Sequence, residues 1–205
     1  MKYKTEQEKF WAGQFGNDYI ERNSIDITIR ANIRLFSRIL ERISQIKSVI
    51  EFGSNIGSNL KAIQTLLADI DLSAIEINKK CIPHLQRINN CTINPVSILD
   101  FKPTKQYDFV LIKGVLIHID QEDLQTVYQK LFESSNRYIC IAEYYNPTPV
   151  EVNYRGYSNK LFKRDFAGEL MDKYSELELI DYGFIYHRDN MFPQDDITWF
   201  LLKKS

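Results

Sequence analysis

Apolar residues recur at three- and four-residue intervals over 29–46, where Ile29, Ile33, Phe36, Leu40 and Ile43 share a face that Leu35 and Ile39 widen, so the spacing predicts an amphipathic helix. A short, almost unbroken apolar run, Val49-Ile50-Glu51-Phe52, follows and enters a glycine-bearing turn, after which Leu60, Ile63, Leu66 and Leu67 mark a second helix. The alternation then repeats. Strands are expected at Leu72–Ile77, Thr92–Ile98, Asp108–Ile112 and Tyr138–Ala142, with helices at about Asn78–Arg87 and Gln121–Ser134 between them. Strands this continuously apolar are buried on both faces, which right-handed strand-helix-strand crossovers produce in a parallel sheet.

The end of the chain departs from the alternation. An irregular stretch, Tyr145–Leu161, precedes a helix from about Lys163 to Tyr174, and two strand-like runs, Leu177–Tyr186 and Ile197–Lys203, follow with no helix between them. Such a pair is expected to form a hairpin that adds an antiparallel strand at the sheet edge. The expected fold is α/β: a doubly wound, mostly parallel, seven-stranded sheet with a C-terminal antiparallel hairpin.

A length of 205 residues suits one such domain and is short for two. The net charge of -1 supplies no basic field for a phosphate backbone. Lys160, Lys163 and Arg164, the one basic cluster, are expected to be a solvated helix start, so nucleic acid is not an expected partner. Cys81, Cys91 and Cys140 lack C-x-x-C spacing, which points to free thiols, a reducing compartment and no metal. The polar beginning and the lack of a long apolar run predict a cytoplasmic protein with no membrane contact, as a monomer or homodimer.

The chemistry concentrates where strands end. In Glu51-Phe52-Gly53-Ser54-Asn55-Ile56-Gly57-Ser58-Asn59, glycines permit a sharp turn and close ligand approach, and the following helix start offers free amides. By itself this pattern also fits a purely structural turn. Glu76, about 20 residues on, suits the hydroxyls of a ribose, a geometry that dinucleotide-binding domains share. Ser97-Ile98 follows the third strand, and Lys113-Gly114 with His118 follows the fourth, where open α/β sheets bind ligands. His118 fits either a base or a polar helix start, and Ile98 alone fits the core.

The loop E-x-G-x-N-x-G resembles the nucleotide-binding loop of class I S-adenosylmethionine-dependent methyltransferases, with Asn55 where many members carry a glycine. Two longer blocks, Glu8 to Asn23 and Tyr144 to Glu169, together with Phe192-Pro193-Gln194-Asp195-Asp196-Ile197-Thr198-Trp199-Phe200, look like the pseudaminic acid biosynthesis-associated methylases. This similarity spans nearly the whole chain. The resemblance implies a Rossmann-like fold, S-adenosylmethionine as cofactor and a small-molecule acceptor, with a nonulosonic acid or a related surface sugar as its candidate. An amino acid or amidine acceptor, or a non-catalytic cofactor-binding module, are its alternatives.

It further implies a cofactor site made of Trp11, Tyr19, Arg22, Glu51, Gly53, Ser54, Asn55, Gly57, Asn59, Glu76, Ile77, Asn78, Ser97, Ile98, Lys113 and Gly114. Candidates for proton transfer are His118, Glu143 and Tyr144. Phe15, Asn146, Tyr154 and Arg155 are the acceptor candidates, since a guanidinium forks onto a carboxylate or phosphate. Arg155 could equally tie to Glu151 or Glu143. Residues 1–28 are expected to close as a lid, or simply to pack on the sheet, and 145–162 to wall the acceptor pocket.

Overall fold

A computed structural model describes residues 3–22 and 25–205. Asn23, within the expected lid, lies outside the described residues with residues 1, 2 and 24. The chain opens with three helices, α1 (Glu6–Ala12), α2 (Gln14–Arg22) and α3 (Ile25–Leu40). Thr5 and Glu8 cap the first reciprocally: the Glu8 amide donates to the Thr5 hydroxyl at 3.1 Å, and the Glu8 carboxylate accepts from the Thr5 amide at 3.2 Å.

The core alternation follows as β1 (Ser48–Phe52), α4 (Ser58–Leu66), β2 (Asp71–Ile75), α5 (Ile82–Leu85), β3 (Cys91–Asn94), β4 (Tyr107–Lys113), α6 (Leu124–Ser134) and β5 (Ser135–Glu143). A two-stranded ribbon, β6 (Val150–Glu151) and β7 (Phe162–Lys163), then leads to α7 (Phe166–Lys173) and to β8 (Leu177–Ile185) and β9 (Ile197–Lys204).

Seven strands form one sheet in the order β3-β2-β1-β4-β5-β9-β8. Its first five strands are parallel, and β9 is antiparallel to both β5 and β8. The expected hairpin is therefore present, but the antiparallel strand is not the edge. The chain passes over to the edge as β8 and returns as β9 into the gap beside β5. The strand order reverses between β1 and β4, which opens a crevice beyond their carboxyl ends.

Side chains alternate across the sheet as its pleat requires. Ile50, Val110 and Ile112 join Leu124, Leu131, Phe166 and Leu170 of α6 and α7 on one face, while Val49, Phe109 and Leu111 join Leu35, Phe36, Ile39, Leu60 and Ile63 of α3 and α4 on the other.

The ends of the elements differ from the periodic pattern for local reasons. The helix expected to reach residue 46 stops at Leu40, yet Ile43 and Ile46 still pack on the same core cluster, which keeps the helical spacing without the helix. Pro95 has no amide for the ladder, so β3 ends at Asn94. The helix expected over 78–87 is a single tight turn at Lys79–Cys81 followed by the four residues of α5. Asp165, whose carboxylate accepts from the Gly168 amide at 2.8 Å, starts α7 later than the apolar spacing suggests. Among the described residues no helix is long and apolar enough to cross a membrane.

Candidate functional site

A cavity of about 530 Å³ lies beyond the carboxyl ends of β1 and β4. Its floor is the turn between β1 and α4. The Gly53 and Ser54 amides both donate to the Ile75 carbonyl, at 2.9 and 3.0 Å, and Gly57 donates to Ser54 at 2.8 Å. Gly53 has φ 77°, and a β-carbon there would stand 2.6 Å from Val115. Gly57 begins α4 at φ 79°, where a β-carbon would meet Ile88 at 2.4 Å. A side chain would be strained at both positions. Asn55 is also left-handed, at φ 47°, a region asparagine enters more easily than most residues, so it can stand in a glycine position.

Glu76 follows β2 directly. Its carboxylate accepts from the Asn55 and Asn78 amides, each at 2.7 Å, and lines the cavity. This ties the glycine corner to the neighbouring strand. Ser97, Ile98 and Ile77 line the same end, and Lys113, Gly114, His118, Tyr144, Tyr154 and Arg155 line the other. Asn59 and Ser54 complete the floor, and Trp11, Tyr19 and Asn78 the wall below α1 and α2.

Six of the residues singled out in the sequence do not line the cavity. Glu51 and Gly57 stand behind the floor. Phe15 and Arg22 lie in the roof, with the guanidinium 5.2 Å from the ring centre. The Glu143 carboxylate accepts from the Val115 and Leu116 amides at 2.9 Å and so holds the 114–118 turn. Asn146 donates to the Thr148 carbonyl at 2.6 Å.

The long connection after β5 folds back as a hairpin, in which Tyr154 and Tyr157 exchange both backbone hydrogen bonds at 2.9 Å. Arg155 is the first residue of this two-residue turn, at φ 52°. Neither carboxylate considered as its structural tie pairs with it: Glu151 accepts from the Asn159 amide at 2.6 Å, and Glu143 is engaged as above. Above, the α1–α2 roof forms an aromatic cluster. Phe10 stacks on Phe15 with ring centres 4.0 Å apart, and His118 lies 4.6 Å from Trp11 and 5.0 Å from Tyr154.

No protein-family model and no curated protein matches the chain. Solved structures do. The 1,6-didemethyltoxoflavin-N1-methyltransferase of Burkholderia thailandensis, solved with 1,6-didemethyltoxoflavin and S-adenosylhomocysteine, superposes at a TM-score of 0.68 with 12% identity, covering 93% of this chain and 83% of that one. A plantazolicin methyltransferase in complex with S-adenosylhomocysteine gives 0.65 with 15% identity, over 97% and 94%. The magnesium protoporphyrin IX methyltransferase of Synechocystis PCC 6803, with bound S-adenosylmethionine, gives 0.66 with 12% identity over 100% of both chains.

The chain has the class I methyltransferase fold.

On this methyltransferase fold the cavity carries polar groups that sequence reasoning did not single out as site residues. Gln7 and Glu8 come from α1, Asn32 from α3, Asp120 and Asp123 from the approach to α6, and Gln194 and Asp195 from the β8–β9 connection. Asn32 is 1% exposed and its amide nitrogen has no partner among the described residues. The same holds for the Gln194 side-chain oxygen, the Asn59 oxygen and one oxygen of Glu51. The Lys113 ammonium also has no hydrogen-bond or ion-pair partner among the described residues, and burial lowers its pKa against the pull of Glu51, Asp195 and Glu143. One sequence signal for Asn32 exists: it is a polar residue set within the apolar stripe of its helix.

Burial pushes the Glu51 carboxyl up to about 8, against the opposing hydrogen bond from Asn59. It pushes Glu143 up to about 7, opposed by the backbone amides it accepts. A carboxyl whose folded pKa lies above its unfolded value contributes stability that is complete at low pH and disappears as pH rises through the folded value. The ligand-free protein is thus expected to lose thermal stability between pH 5 and 8, the window between the ordinary value of 4.5 and about 8. Glu51→Gln is expected to flatten that decline in a thermal-melt series. A melting temperature that stays level or climbs across the interval contradicts the assignment.

His118 moves the other way. Burial lowers its pKa to about 4, so at neutral pH the ring is uncharged. Its Nδ1 lies 2.5 Å from the Lys160 carbonyl, which can only accept, so the neutral ring carries its proton on Nδ1 and leaves Nε2 with a lone pair.

Proposed function

We propose that this protein transfers a methyl group from S-adenosylmethionine to a small anionic acceptor, with a nonulosonic acid or a related surface-sugar intermediate as the preferred class. The observation that carries this reading is a single chamber bounded at one end by the glycine corner and the Glu76 carboxylate and at the other by His118, Tyr154 and Arg155. Donor and acceptor sites in one shared space are what direct group transfer requires.

The residues fit the donor. Glu76 is set to accept from ribose hydroxyls, the 53–57 backbone allows close approach, and the unpartnered oxygen of Asn59 with the Lys113 ammonium suits the two ends of an amino-acid zwitterion. Bound there, the donor would supply a methyl group made electrophilic by a sulfonium. What the chain must add is alignment and exclusion of water, and orientation alone can contribute about 7–11 kcal/mol. The α1–α2 aromatic cluster excludes water from above. His118 Nε2 is the group we assign to receive the acceptor's proton, while Glu143 holds the turn that carries it.

Arg155 supports an anionic acceptor: a two-residue turn holds it at the mouth of the cavity, and the Lys113 ammonium is left to the donor's carboxylate. We further take residues 1–205 as one domain, with 1–28 as its lid and 145–162 as the acceptor wall, acting in the cytoplasm as a monomer or homodimer.

The test is mass spectrometry of candidate nonulosonic acids, sugar precursors and amino acids incubated with the protein and a donor bearing a deuterated methyl group. Label is expected in an acidic sugar. Label confined to amino acids would move the acceptor class. Thermal stabilisation by NADH and not by S-adenosylhomocysteine would overturn the donor as well.

A further inference from the structure

The donor reading leaves open which group selects the purine. From Glu76 the rim runs to Ser97, Ile98 and Leu99, and with Ile77 these give the cavity an apolar slot suited to a flat base. Ser97 looks like the natural contact for the base edge, but its hydroxyl is already engaged. It donates its only proton to Glu8 Oε1 and accepts from the Leu99 amide at 3.0 Å. The group presented at this corner is therefore the Glu8 carboxylate, which reaches it from α1 across 89 positions of sequence.

A carboxylate has about four acceptor positions. Glu8 Oε2 accepts from the Lys4 and Thr5 amides, and Oε1 accepts from Ser97. One position on Oε1 remains, on a residue that is 9% exposed and lines the cavity. Asp120 and Asp123 line the same wall, and their negative field adds to that of Glu8 in favouring a hydrogen-bond donor there.

Resting on the donor proposed above, we infer that Glu8 selects the adenine base by accepting a hydrogen bond from its exocyclic amine, so that base recognition and closure of the α1 roof are one event. A hypoxanthine base presents a carbonyl oxygen in place of the amine. That oxygen would face the carboxylate lone pair to lone pair, and an unfilled acceptor beside a repelling one is a strong basis for discrimination. α1 is also tied to the acceptor side, through Gln7 to the Asn159 carbonyl at 3.3 Å and Glu6 to Lys160 at 3.3 Å. A helix anchored at both ends of the chamber can register the base at one end while it covers the acceptor at the other.

The experiment is calorimetric titration of the full chain with S-adenosylhomocysteine and with S-inosylhomocysteine. The intact protein is expected to favour the adenine ligand by about 10–100-fold, the range of a charge-assisted hydrogen bond. In Glu8→Ala the ratio is expected to collapse to near one. Thr5→Ala removes the same helix cap while leaving the carboxylate, and there the ratio is expected to persist. Glu8→Ala weakening both ligands equally with the ratio intact, or Thr5→Ala abolishing the ratio as fully as Glu8→Ala, would overturn the inference by reducing Glu8 to a cap. Failure of the intact protein to bind either ligand would instead sink the donor reading, and this inference with it.

Discussion

Glu76→Ala is expected to weaken S-adenosylhomocysteine binding by about 100-fold or more, since a hydrogen bond to a charged group contributes roughly 1.5–3 kcal/mol and a ribose offers two hydroxyls to this carboxylate. The effect has a second source. The carboxylate also accepts from the Asn55 and Asn78 amides, each at 2.7 Å, and so fixes the shape of the glycine corner before any ligand arrives. Truncation leaves both amides without that acceptor, so part of the affinity loss is lost preorganisation. Glu76→Gln separates the contributions, because it retains one acceptor oxygen and most of the volume. Calorimetry on all three proteins, with melting temperatures recorded alongside, checks the result. An affinity in the alanine variant within threefold of the parent would remove Glu76 from the donor site.

The sheet was legible in the sequence because its strands are nearly continuous apolar runs, and Val49–Phe52 and Tyr138–Ala142 both lie inside strands of the structure. The insertion of β9 between β5 and β8 was not, because pairing order depends on contacts across the whole fold and not on local pattern. The site divides in the same way. Gly53, Asn55, Glu76, Ser97 and Lys113 could be found because each sits at a strand end, and strand ends are visible as the place where an apolar run stops. Glu8, Asn32, Gln194 and Asp195 reach the cavity from helices and a connection whose position only the folded chain defines. Glu143 illustrates the limit most clearly. As a carboxylate at a strand end it was indistinguishable from a base, and its hydrogen bonds to the amides of Val115 and Leu116 connect positions 28 and 27 residues apart.

Trp199→Ala is expected to lower unfolding free energy by about 3–5 kcal/mol, the usual cost of deleting a buried large aromatic side chain. At the size of this chain that corresponds to a fall in melting temperature of roughly 6–20 °C. Trp199 is 1% exposed, faces the α3–α4 layer, and has the Arg38 guanidinium 5.9 Å from its ring centre. Across the ladder it pairs with Gly183, where an added β-carbon would stand 2.8 Å from the indole. The neighbouring strand has thus left room for the ring, and Gly183 opposite it has no side chain to fill the void. A loss below 1 kcal/mol in urea unfolding would mean that the surrounding helices collapse onto the gap. The consequence reaches the cavity, because β9 begins at Ile197, two residues after Asp195 and three after Gln194. The same strand that completes the core also anchors one wall of the cavity, so its packing fixes where those two polar groups stand.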